Sequence, residues 1–172
     1  RIKQFVAALT ARVTAADRAF AAAHLTPAEQ ALFYGMNLPD QRHALAVAAS
    51  ARRLAAGRTD VDLALLTRCA LLHDVGKIKG DVSTLDKTVT VLAHRLAPRW
   101  AARWARPGRG GRLDNLRHAL YVYFQHPERG AALLAAGGAD DRLLDIIRRH
   151  HQPPSPGDPP ELTLLRAADD LR

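Results

Sequence analysis

The sequence predicts an all-α bundle, folded as a single domain of 172 residues, and three observations predict it. First, 48% of the chain is apolar but only 5% is aromatic, and alanine is abundant. Alanine is the best helix former and strands favour β-branched and aromatic residues, so this composition favours closely packed helices over a sandwich or barrel. Second, apolar residues recur at spacings of three and four, which is helical periodicity. Third, capping residues and prolines punctuate those runs at helical lengths.

Residues 3–23 read as a helix with Phe5, Val6, Leu9, Val13, Ala16 and Phe20 on one face, so that 1–25 forms an N-terminal helical segment. Thr26-Pro27-Ala28-Glu29 combines an N-cap, a proline suited to the first helical position and a capping-box glutamate, and opens a short helix that ends near Gly35. Pro39 opens the next, which runs through His43 to Leu54 with Gly57 as its stop. Asp60 then caps a helix from Val61 towards Val75, whose leucines leave little polar surface and mark it as the central buried element. The lone cysteine, Cys69, lies in that run; it excludes an internal disulfide framework and reads as an inert buried thiol.

Residues 80–112 form an irregular basic insert with two short helices near 87–96 and 98–105. A helix over 113–125 follows, and Pro127 opens another that ends near Gly137. Residues 140–151 make one more helix. The proline-rich run 153–160 fits neither a helix nor a central strand, and a last helix from Glu161 carries Asp169 near its end.

The net charge of +8 points to an anionic partner. A small phosphorylated molecule would be served by that field, and nucleic acid is not the expected partner on charge alone. No stretch approaches the roughly 20 apolar residues of a membrane span, and no signal-peptide pattern is visible, so a cytoplasmic location is the default expectation. Within the insert, His94 and the basic segment with Trp100 and Trp104 read first as a packed excursion; a lid, a substrate-gripping arm and a membrane-surface patch are the alternatives. The oligomeric state is left open.

The candidate chemistry lies in imidazoles and carboxylates that fall at or near buried positions: His43, His73, Asp74, His126, His150, His151 and Asp169. Buried ionisable groups are costly unless paired or bound to a metal. Each has a bland reading alone: His43 as an interface residue, His126 as an N-cap, Asp169 beside Asp170 as a solvated face. Together, neutral imidazole and carboxylate suit Mn, Fe, Ni, Co or Zn, and there are enough ligands for one or two ions. His73 and Asp74 diverge by about 100° on a helix, so they share a site only at an edge between helices. Asp74 has two oxygens and is able to bridge two ions. Lys77, three residues after Asp74 and four after His73, falls on the same face if the turn continues.

The chain resembles the HD-domain metal-dependent phosphohydrolases, through His43, the run Leu71-Leu72-His73-Asp74-Val75-Gly76-Lys77, and Ala168-Asp169. His126-Pro127-Glu128-Arg129-Gly130-Ala131 and the paired His150-His151 are similar to segments of the HD-GYP phosphodiesterases, although the GYP signature is absent. Bacterial HD hydrolases of diadenosine tetraphosphate share the early histidine, the HD pair and the terminal alanine-aspartate. The resemblance implies an HD-domain helical bundle and hydrolysis of a nucleotide-type phosphate ester or anhydride by a metal-activated hydroxide. It implies one ion on His43, His73, Asp74 and Asp169, and a second that shares Asp74 and adds His126, His150 and His151. It implies Asp74 and Lys77 as catalytic residues, with Lys77 and Arg129 on the substrate phosphate. The alternative is an HD-fold domain that senses a nucleotide without turning it over.

Overall fold

A computed structural model describes residues 12–171 of the chain, and among them nine helices and no strand. The first two are α1 (Ala15–His24) and α2 (Pro27–Tyr34). The sequence-based helix over 3–23 begins outside the described residues, and within them it starts only at Ala15. Thr14 sets that start: its side chain accepts from Asp17 N while Asp17 accepts from Thr14 N, which satisfies two first-turn donors. Thr26 and Glu29 make the same reciprocal cap on α2, as their spacing predicts.

α3 (Leu38–Leu54) and α4 (Leu63–Leu72) form the heart of the bundle. Ala44, Val47, Ala48 and Ala51 are fully buried on one stripe of α3, and such small side chains let another helix approach closely. α4 buries Leu65, Leu66, Cys69, Ala70, Leu71 and Leu72 and packs against α1, α2 and α3. Burial pushes the Cys69 thiol far up, so it stays protonated and inert.

The expected cap of α4 needs correction. Asp62, not Asp60, accepts from Leu65 N at 3.0 Å, and Asp60 pairs instead with Arg58. The cause is tertiary: the buried carboxylate of Glu161 accepts from Asp62 N at 2.7 Å and holds that residue outside the helix. The other end of α4 also stops early, at Leu72, because the chain tightens into turns with Val75 N bonded to Leu72 O and Lys77 N to Asp74 O.

α5 (Thr84–Leu96) and α6 (Pro98–Trp104) build most of the basic insert, which is therefore more regular than its sequence suggests. Both lie on α7 (Arg112–Ala136), which corrects a second expectation: it runs unbroken through Pro127. Proline there removes the donor for the Tyr123 carbonyl, and His126 Nδ1 supplies it at 2.7 Å. α8 (Asp141–Arg149) and α9 (Pro160–Asp170) close the bundle, both packed on α4.

Core substitutions should separate from surface ones. Leu165→Ala, at a fully buried position of α9, should cost about 2–5 kcal/mol in denaturant unfolding. Leu85→Ala on exposed α5 should stay within about 0.5 kcal/mol.

Candidate metal centre

The bundle brings together residues that are far apart in the chain. His43 comes from α3, His73 and Asp74 from the turn after α4, His126 from α7, His150 and His151 from the end of α8, and Asp169 from α9. They form two abutting groups. In one, ligand atoms of His43, His73 and Asp169 all lie within 4.8 Å of one another; in the other, those of Asp74, His126, His150 and His151 do. Asp74 faces both, with Oδ1 3.3 Å from His126 Nε2 and Oδ2 3.5 Å from His73 Nε2.

Three of the histidines are oriented by one device. Nδ1 of His73 bonds Ala70 O at 3.0 Å, that of His126 bonds Tyr123 O at 2.7 Å, and that of His150 bonds Ile147 O at 2.6 Å. A carbonyl only accepts, so Nδ1 carries the proton and Nε2 is left with a lone pair. Each carbonyl is one the helix ladder does not serve: α4 and α8 end there, and Pro127 has no N–H. The three Nε2 atoms are buried and make no hydrogen bond. Each such orphan costs about 1–3 kcal/mol, and three converging on two carboxylates is the donor set a divalent transition ion takes up. The residues present fit such an ion.

The electrostatics agree. Desolvation lowers the pKa of His126, and of His150 much further, so both rings are neutral at pH 7. Desolvation beside His126 and the Lys77 charge lowers His151 as well. Burial opposes ionisation of Asp74, but the Lys77 ammonium outweighs it and holds the carboxyl well below its usual range. Lys77 Nζ lies 2.7 Å from Asp74 Oδ1 and stands as the carboxylate's counter-ion. His43 Nε2 and Asp169 Oδ1 are 2.9 Å apart; that bond raises His43 and, against desolvation, brings Asp169 down to about 2. A proton shared by two ligand atoms is what a bound cation displaces.

Backbone contact fixes the spacing between the Asp74 turn and α7. A Cβ added at Gly76 would lie 2.1 Å from His126 O and 2.9 Å from Gly130 N. Only glycine permits that approach.

Beside the second group lies a cavity of about 580 Å³, lined by His126 and His151 and walled by His94, Tyr123, Phe124 and Arg148. His94, Tyr123 and Phe124 form a mutual aromatic cluster with centroids 4.9–5.4 Å apart. A smaller cavity, about 180 Å³, runs from Lys77 past Tyr123 to Val91. Sequence reasoning missed Tyr123 and Phe124 and read the His94 segment first as a packed excursion, with a lid or a substrate-gripping arm among the alternatives; nothing in the residues next to His94 signals the cavity. Arg129, expected on a substrate phosphate, is engaged in an ion pair. Its guanidinium pairs with Asp81 and lies 5.9 Å from the Tyr121 ring, and Asp81 also holds His118 at 3.1 Å. That set anchors the segment after Gly80, and Arg129 belongs to neither ligand group.

A helical bundle that converges histidines and aspartates from five helices and their ends defines a class of metal-binding α-proteins. This chain belongs to the HD-domain family, whose model matches residues 41–172, and that family is one of metal-dependent phosphohydrolases. The match is to the HD domain as such and adds nothing for the HD-GYP likeness. No curated protein and no solved structure matches the chain.

Two outcomes follow for metal-free protein. Lys77→Met should lower its stability by about 3 kcal/mol, by leaving a buried carboxylate uncompensated, and a divalent ion should restore most of the loss. The second concerns pH. A raised histidine stabilises the fold below its ordinary pKa, 6.5, and loses that contribution as pH rises through the raised value. His126, His150 and His151, all lowered, act oppositely and cost stability as pH falls below 6.5. The His43 contribution is therefore read by difference: between about pH 8 and pH 6, wild type should gain Tm relative to His43→Gln in the presence of chelator. A constant difference would remove the His43–Asp169 pair from the account.

Proposed function

We propose that this protein is a metal-dependent phosphohydrolase acting on a phosphate ester or anhydride of a nucleotide-type molecule. The single observation that carries the reading is the set of buried, unbonded Nε2 atoms converging with ionised Asp74 and Asp169. In this reading His43, His73, Asp74 and Asp169 hold one divalent ion, and Asp74, His126, His150 and His151 hold a second. Such ions supply Lewis acidity towards a phosphoryl oxygen and a nucleophilic water at neutral pH.

The protein's own groups do the rest. Asp74 presents one oxygen to each side and is the residue whose loss removes both halves. Lys77 balances Asp74 and lines the smaller cavity; were cations to take over that balance, its ammonium would be placed to meet a substrate phosphate there. The cavity of about 580 Å³ falls within the size usual for small-molecule sites, roughly 300–1,000 Å³. Its aromatic wall of His94, Tyr123 and Phe124 suits the flat face of a base, and Arg148 suits a phosphate remote from the metals.

Elemental analysis of the purified protein should find one or two transition ions per chain. A panel of mono-, di- and cyclic nucleotides and dinucleoside polyphosphates with added Mn should reveal turnover. Asp74→Asn should lower that turnover by about a hundredfold or more. Nucleotide binding without turnover, at full metal occupancy, would instead make this a sensor.

A further inference from the structure

The helices of the insert carry an apolar face that the bundle leaves uncovered. On α5, Leu85, Val89, Leu92 and Leu96 repeat at spacings of four, three and four, so they form one stripe. They are 80%, 45%, 55% and 75% exposed, and Trp100 of α6 continues the patch at 48%. The opposite side of α5 is the packed one: Thr90 is buried and His94 lies against Tyr123 and Phe124 of α7. An amphipathic helix on a globular bundle normally turns its apolar stripe inward. This one turns it to solvent.

Charge decides what such a face meets. Residues 84–112 contain seven Lys or Arg and one acidic residue, Asp86, and so supply a net +6 of the chain's +8. Arg95, Arg99 and Arg103 are exposed on the two helices and form no ion pair with a described residue. Trp100 and Trp104 stack with centroids 4.8 Å apart, at the end of the aliphatic stripe. A second copy docked on this face would set arginine against arginine. A nucleic acid would neutralise the arginines but leave the aliphatic side chains in water. An anionic bilayer surface accommodates both, with leucines among the acyl chains, indoles at headgroup depth and arginines on lipid phosphates. No helix among the described residues is long and apolar enough to cross a membrane, so the contact lies on the surface.

We propose that the outer face of α5 and α6 is a docking surface for an anionic membrane. Both tryptophans of the chain lie in α6, so fluorescence excited selectively at tryptophan reports on this segment alone. With vesicles of equimolar phosphatidylglycerol and phosphatidylcholine, the protein should co-sediment and its emission should shift to the blue. Added salt should weaken the binding, and vesicles of phosphatidylcholine alone should bind far less. Leu92→Ser with Leu96→Ser, and separately Arg99→Glu with Arg103→Glu, should each weaken binding about tenfold or more while leaving helical circular dichroism and Tm in place.

Three results would overturn the proposal. One is wild-type protein that ignores anionic vesicles or binds neutral ones equally. Another is a concentration-dependent dimer in sedimentation velocity that the leucine pair abolishes. The third is a blue shift produced by an oligonucleotide in place of vesicles, and abolished by the leucine pair.

Discussion

A carboxylate taken almost wholly out of water organises this molecule. Asp74 is 2% exposed, and an isolated ionised carboxyl so placed would be driven to protonate. It remains ionised because the Lys77 ammonium lies 2.7 Å from Oδ1 and compensates its charge. Several helix ends meet at the same place. Helix termini hold unserved carbonyls, and a histidine that caps such a carbonyl through Nδ1 turns its other nitrogen towards the carboxylate. The capping requirement and the binding requirement are met by the same three side chains.

This also accounts for a proline in the middle of the longest helix. Elsewhere, losing an N–H inside a helix is a defect. At Pro127 the orphaned Tyr123 carbonyl becomes the acceptor that fixes the ring of His126. The backbone irregularity and the ligand geometry are one feature, so neither is intelligible when read alone.

Much of the fold and of the site was legible in the sequence because it is written locally. The Thr26–Glu29 box, the leucine-rich run before His73 and the late alanine-aspartate each announce an element within a few residues. What escaped depends on contacts made across the chain. Asp62 displaced Asp60 as the cap because Glu161, 99 residues later, claims its backbone N–H. α7 continued through Pro127 because a histidine replaced the missing donor. Arg129 sits in the segment similar to one of the HD-GYP phosphodiesterases and was expected on a substrate phosphate, and Asp81, 48 residues earlier, takes its guanidinium. The aromatic wall was invisible for the same reason: His94 gains meaning only when α5 lies down on α7.

The contact at Gly76 has a mechanical consequence. Backbone touches backbone there, so no rotamer stands between the turn bearing Asp74 and the helix bearing His126. Side chains elsewhere in the core are free to exchange one shape for another over evolutionary time, and the gap between the two halves of the pocket will not drift with them. The joint has no slack to tune, which makes the position of the shared carboxylate a property of the main chain.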